Sequence, residues 1–403
     1  MRAGVGYSEN PDTATAGFQV AASALRDAGR TDPCDLALLF STARHDPWLL
    51  RDSIAAVIGP STSIVGGATV GAISNDRFGY AGDQVILALI WLDEARCDIL
   101  VEDRLEEDEG KAGQRLGQKL GELGVTQASS VVLFYDAIFR SEDDFRMIMA
   151  TPLLAGIEQG LGGSPDLIGA GLMGDYACSA TWQWAGDRVT QHTALALVFS
   201  GDIRVDSVIM HGCRPATGYY TVTKADRQTV LEINNRPALR FIDELLDHAI
   251  PVENYAFFLT FGMKEGDKWG DFQEEDYANH LCLAIDKERE GIVMFEPNMV
   301  EGSEFQIMRR GLDLDYIPPK IEKLFADLGD RKPVFALYID CAGRAAGYAG
   351  IDLEDAVAVQ EAVGGRVPLL GLYTGVEIAP VNGRSRGLDW TGVFCLLSTS
   401  GQE

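Results

Sequence analysis

The chain has 403 residues, 46% of them hydrophobic and 23% charged, and its 60 acidic against 34 basic side chains give a formal net charge of −26. That balance argues against nucleic acid or an anionic membrane as a partner, because both need a basic face. No apolar run approaches the roughly 20 residues that span a bilayer. The first twelve residues carry Arg2 but no apolar stretch, and the seven cysteines are scattered with no CxxC, so a cytoplasmic protein with reduced thiols and no secretory leader is expected.

In chain order, apolar runs of strand length alternate with amphipathic stretches of helix length, which predicts an α/β fold. The first unit runs from a strand at 36–41 to a helix at about 46–58, with Asp46 and Pro47 at its N-cap and first position. A strand near 63–66 follows and turns through Gly66-Gly-Ala-Thr-Val-Gly71. A second copy takes a strand at 131–136, a helix over about 142–161 and Gly169-Ala-Gly-Leu-Met-Gly-Asp175. A third takes a strand at 334–340, a helix at about 352–364 and Gly371-Leu-Tyr-Thr-Gly375. Each copy is strand–helix–strand, so parallel pairing is the default. The stretches 84–101, 188–210 and 219–233 alternate like antiparallel strands, and mixed sheets flanked by helices are therefore expected. With two copies before residue 200 and one after 330, the pattern suggests two related α/β domains, 1–206 and 207–403. The glycine- and proline-bearing turn 211–218 would be the crossing, and the two halves could close as a clamp.

Gly169-Ala-Gly-Leu-Met-Gly174 spells the dinucleotide fingerprint, but no helix follows and no acid stands about 20 residues on. His211-Gly-Cys213 is too small a set for a structural zinc site, and the five histidines show no H-x-x-x-H spacing. Ligands of open α/β sheets sit beyond the carboxyl ends of the strands. Those ends carry Gly66, Gly67, Thr69, Cys341 and Thr374, with Arg44, Arg140 and Arg344 in the matching loop of each copy. Three arginines at one rim would form an anion site, and Arg344 would hold a carboxylate bidentately. Glu377 beside it could take an ammonium group, which together suits a zwitterion such as an amino acid. Cys213 and Arg214 of the crossing turn complete this candidate set.

The same residues carry a family resemblance. Gly6-Tyr-Ser8, Val65-Gly-Gly-Ala-Thr-Val-Gly-Ala-Ile73, Leu133-Phe-Tyr-Asp136 and Gly169–Asp175 resemble a FIST N domain. Gly212-Cys-Arg-Pro215, Val222-Thr-Lys224, Pro237-Ala-Leu, Asp340-Cys-Ala-Gly-Arg344 and Gly371–Pro380 resemble a FIST C domain. The resemblance implies a bacterial sensor of a small polar ligand, an amino acid for instance, that acts on a separate signalling partner such as a histidine kinase, without enzymatic activity or a bound cofactor. An alternative it implies is a haem protein that senses nitric oxide, with His211 or His45 as axial ligand. A second alternative is an enzyme with Cys341 or Cys213 as nucleophile. Two departures touch the ligand: Leu388-Asp-Trp-Thr391 stands where the family has a His-Asn-x-Thr-like stretch, and Ala68 precedes the turn threonine where the family often has Ser or Cys.

Overall fold

A computed structural model describes residues 1–311 and 313–400. It is α/β with mixed sheets, and its strands fall into three units of the same plan. The first unit is β1 (Arg2–Ser8), α1 (Thr13–Ala28), β2 (Leu36–Ser41), α2 (Pro47–Ile58), β3 (Ser63–Ala68), β4 (Gly71–Ile73), β5 (Phe78–Tyr80) and β6 (Val85–Trp91). The second is β7 (Arg96–Glu102), α3 (Glu109–Glu122), β8 (Ser130–Asp136), β9 (Ile138–Arg140), β10 (Phe145–Met147), α4 (Ala150–Leu161), β11 (Leu167–Leu172), β12 (Gln183–Gly186), β13 (Arg188–Thr190) and β14 (Ala194–Ser200). The third opens with β15 (Arg204–Met210) and is then interrupted.

The interruption is a separate sheet. It holds β16 (Cys213–Pro215), β17 (Tyr220–Asp226), β18 (Thr229–Ile233), β19 (Arg236–Pro237), α5 (Ala238–Leu245), β20 (Thr260–Lys264), β21 (Tyr277–Asp286), β22 (Gly291–Met294) and β23 (Glu304–Arg310). The third unit resumes with α6 (Ile317–Asp327), β24 (Lys332–Cys341), α7 (Ala346–Ala349), α8 (Asp355–Val363), β25 (Leu369–Thr374), β26 (Glu377–Val381), β27 (Arg384–Leu388) and β28 (Gly392–Thr399). The turn at 211–213 is thus where the chain leaves the third sheet for the inserted one.

Each of the three sheets has six strands, in the orders β1-β6-β2-β3-β12-β13, β7-β14-β8-β11-β26-β27 and β15-β28-β24-β25-β4-β5. In each, the strand–helix–strand copy supplies the central parallel pair: β2 with β3, β8 with β11, β24 with β25. The outer hairpin of each sheet comes from another unit. After β3 the chain lends β4 and β5 to the third sheet, after β11 it lends β12 and β13 to the first, and after β25 it lends β26 and β27 to the second. The exchange closes a ring, so the two halves of the sequence are interlocked.

Alternation fixes which face goes where. Leu36, Leu38 and Phe40 point into a core shared with Val132, Phe134, Leu337, Ile339 and Leu372, where Phe40 meets Phe134 edge-on at 5.1 Å. Ala37 and Leu39 point outward under α1 and α2. Both faces are covered, which is why these strands read as unbroken apolar runs. The parallel pairs lie close: a Cβ on Gly66 or Gly169 would sit 2.0 or 1.7 Å from the carbonyl oxygen of Leu39 or Leu133 on the paired strand.

The expected helix over 142–161 begins only at Ala150. Ahead of it, Ser141 accepts from the Asp144 amide at 3.0 Å and closes a turn, so Phe145–Met147 pairs back on Ile138–Arg140. Among the described residues no helix is long and apolar enough to cross a membrane.

Candidate functional site

The carboxyl ends of β11, β24 and β25 open into a cavity of about 540 Å³, within the range of small-molecule sites. Three bodies wall it. The second unit brings Phe145, Arg146 and Met147 from its extra hairpin, then Met173, Tyr176 and Cys178 from the loop after β11. The third unit brings Cys341, Gly343, Tyr348, Thr374 and Asp389. The inserted sheet roofs it with Phe257, Leu281, Leu283 and Phe295. Tyr176 and Tyr348 stack in parallel at 4.6 Å, and Phe257 meets Phe295 edge-on at 5.5 Å. The lining is chiefly methionine, leucine and aromatic rings, a deformable apolar surface.

Asp389 is the acid of this cavity. It follows β27 in a turn and accepts from the Leu281 amide at 2.9 Å. Burial pushes its carboxyl up to about 8, so at neutral pH it is mostly protonated. Glu377 lies behind the wall, wholly buried, with Oε1 unpartnered. Burial raises its pKa, and the neighbouring Asp389 and Asp340 raise it further.

Arg344 corrects the anion-site expectation. Its guanidinium is 3% exposed and turned away from the cavity. It forks onto Asp355 through Nε and Nη2, donates to Tyr316 Oη at 2.7 Å, and holds the His211 and Trp390 carbonyls at 3.2 and 3.0 Å. Asp340 lies 3.2 Å from Nε. Burial and the nearby Asp355 raise the Asp340 carboxyl well above its usual range, while the Arg344 charge pulls it the other way. No N–H is left for a ligand carboxylate. Arg44 stands exposed on its loop and Arg140 at the end of β9, over the Phe145 ring, so the three arginines do not act together.

The remaining expected residues divide. Cys341 and Thr374 line the cavity. Gly66 and Gly67 serve close strand packing. Thr69 is fully buried and donates to the Tyr373 carbonyl, while Thr374 donates to Gly171 O at 2.6 Å. These threonines tie adjacent units together. Cys213 and Arg214 border a different cavity of about 160 Å³ beside Glu274.

The histidines proposed for haem do not fit an axial ligand. His45 places Nδ1 at 3.2 Å from Thr13 Oγ1 and Nε2 at 3.1 Å from Asp83 O. His211 accepts from the Cys213 amide at 2.9 Å and donates to Glu274 O at 3.1 Å, and burial lowers its pKa to about 4. Neither borders the cavity. Among the described residues no group of three or more His, Cys, Asp or Glu could hold a metal ion.

Sequence reasoning missed Met173, Tyr176, Phe257, Phe295, Tyr348 and Asp389. One signal was available: Asp389 and Trp390 are the departure at Leu388–Thr391.

Comparison with known proteins bears on the family. A protein of Mycobacterium bovis and one of Mycobacterium tuberculosis, both uncharacterized, are each 28% identical over 194 residues, which is 47% of this chain and 50% of theirs. The chain therefore spans about half the length of the curated relatives it matches. A solved cyanuric acid hydrolase from A. caulinodans aligns over 100% of this chain and 99% of its own at 10% identity and a TM-score of 0.34, too slight a likeness to bear on function. The FIST N domain model matches residues 35–236 and the FIST C domain model residues 238–380. The chain belongs to the FIST family.

Proposed function

We propose that the protein is a small-ligand sensor of signal transduction, and that its ligand occupies the cavity at the carboxyl ends of β11, β24 and β25. FIST domains are associated with sensing in signal transduction. One observation carries the site: the cavity is walled by the second unit, the third unit and the inserted sheet at once. A ligand that touches all three gains contacts only when they are together, so it biases their arrangement, and a separate partner such as a histidine kinase reads that bias. The lining favours a ligand with an apolar body over a small polar amino acid held by Arg344.

The nucleophile alternative has less support. Burial pushes the Cys213 thiol up to about 12 and raises the Cys341 thiol well above its usual value, with the Glu377 and Asp389 carboxyls acting on Cys341 in the same direction. A thiol needs a lowered pKa or an adjacent base to attack.

Thermal unfolding in the presence of a metabolite collection tests the site. A ligand at 100 times its Kd should add about 2.7 kcal/mol to stability, and Met173→Trp, which fills the cavity, should abolish the shift. A shift that survives intact in Met173→Trp would place the ligand elsewhere.

A further inference from the structure

A second, smaller chamber of about 210 Å³ adjoins the cavity and shares Phe257, Leu281, Gly343 and Tyr348 with it. Its distinctive wall is Arg310, the last residue of β23. The guanidinium lies 3.4 Å over the Trp390 ring, Nε donates to Thr260 Oγ1 at 3.0 Å, and Nη2 donates to the Phe257 carbonyl at 2.6 Å. Nη1 has no hydrogen-bond partner among the described residues, and no described carboxylate lies within 4 Å of the group.

That isolation is unusual for its position. Arg44 and Arg140 also lack acids, but they stand in water. Arg310 is half-buried, and burial lowers its pKa to about 10, which leaves it charged. A partly desolvated cation without a counter-charge is costly unless an anion arrives. The other cation on these walls, Arg146, already faces Glu109 at 3.3 Å. Arg310 is also fixed in direction on three sides, so an incoming carboxylate meets a donor that need not reorganise.

Phe257 adds a second observation. Its backbone is left-handed, φ 60°, a conformation rare for a bulky side chain. Its amide donates to Cys282 O at 2.7 Å and its carbonyl is taken by Arg310. Phe257 lines both chambers and is 43% exposed.

We propose that the site takes an amphipathic organic anion, with its carboxylate on Arg310 and its apolar body in the methionine- and aromatic-lined chamber. This rests on the cavity being the ligand site. Three probes of one shape separate the two claims: 4-phenylbutyrate, 4-phenylbutanol and 4-phenylbutylamine, titrated by calorimetry into the full chain. The acid should bind at least tenfold tighter than the alcohol, and the amine weakest. In Arg310→Gln the acid should lose roughly tenfold to a hundredfold in affinity, while alcohol binding persists and shows the chamber intact. Arg310→Lys should fall between, because an ammonium keeps the charge without the fork. If Arg310→Gln loses the alcohol as well, Arg310→Lys decides, and its binding the acid no more tightly than the alcohol overturns the inference. Equal affinity of acid and alcohol in the wild type, or undiminished acid binding in Arg310→Gln, also overturns it and leaves the cavity reading standing. Failure of all three probes to bind removes both.

Discussion

Replacing Arg344 by Ala tests whether the guanidinium serves the fold or a ligand. In the structure it satisfies Asp355, Tyr316 and two carbonyls from separate segments, His211 at the departure of the inserted sheet and Trp390 beside the cavity. Removing it strands the Asp355 charge in a site where the arginine was 3% exposed. Breaking a buried pair in this way costs about 3–5 kcal/mol. At about 2.1 cal/mol/K per residue, 403 residues unfolding together carry an entropy of roughly 0.8 kcal/mol/K, so Tm should fall by about 4–6 °C. Arg344→Lys should recover little, because the site uses a planar fork. Removing Arg344 and Asp355 together should cost less than the sum of the single changes, since each then leaves no orphan. Calorimetric unfolding of the three variants, with probe affinity measured on each, decides the matter. A variant with wild-type Tm and selectively weakened carboxylate binding would refute this reasoning and restore the anion site at Arg344.

Asp389 makes stability fall as pH rises. With its carboxyl held near 8 by burial against a usual 3.8, the folded protein keeps a proton that the unfolded chain has released. Stability should drop by up to about 1.4 kcal/mol per pH unit between about pH 4 and 8. Below about 6.5 the buried His211 and His280, lowered to about 4 and about 3, act in the opposite sense, so the slope is read by urea unfolding between pH 6.5 and 8. There Asp340, Glu377 and His192, also raised, act in the same sense as Asp389, and the Asp389→Asn comparison separates its share. Asp389→Asn should flatten that slope, and an unchanged slope would contradict the assignment. Glu296 accepts from the amides of Ala150 and Thr151 at 2.9 and 2.8 Å, capping α4 from the inserted sheet. Glu296→Ala should therefore cost about 1–3 kcal/mol and speed hydrogen exchange at those amides. Gly169→Ala should destabilise by more than about 3 kcal/mol, because its Cβ would meet Leu133 O at 1.7 Å. Gly371→Ala, whose Cβ would meet Ile73 Cβ at 2.9 Å and Tyr338 O at 3.1 Å, should cost less, and denaturant midpoints of the two variants would show the order.

The parallel pairs were legible because both their faces are buried, which writes each strand as a continuous apolar run bounded by glycine. The exchange of hairpins was not. Gly71–Ile73 and Phe78–Tyr80 have three residues each, and nothing in so short a segment says which sheet edge it joins. Partner choice there is set by tertiary contacts, such as the pairing of Gly371–Tyr373 with Ile73–Gly71, between residues some 300 positions apart. The hairpin at 138–147 was hidden for a related reason. Its pattern fits the start of a helix, and the turn is fixed by the Ser141 side chain rather than by glycine or proline. The exchange also bears on closure. Because each sheet finishes with a hairpin from another unit, the two halves cannot part without breaking strand pairs, whereas the inserted sheet joins the ring through short connections at 211–213 and past Arg310.

At the site, loop position picked out arginines but could not say which were already spent. Arg344 follows a buried strand whose penultimate residue is Asp340, and four positions separate them. That spacing places the pair together, yet the decisive partner, Asp355, comes from α8 after an intervening helix. Arg310 gave no such signal: it ends an ordinary antiparallel strand and follows another arginine. Its meaning depends on what is absent around it in space, and a sequence does not record the absence of a carboxylate. In a chain with 60 acids the default for a half-buried arginine is a nearby counter-charge. Binding chemistry resides where that default fails beside a cavity, because a cation already neutralised by the protein has little left to offer an anion, and one left unpaired gains most when the anion arrives.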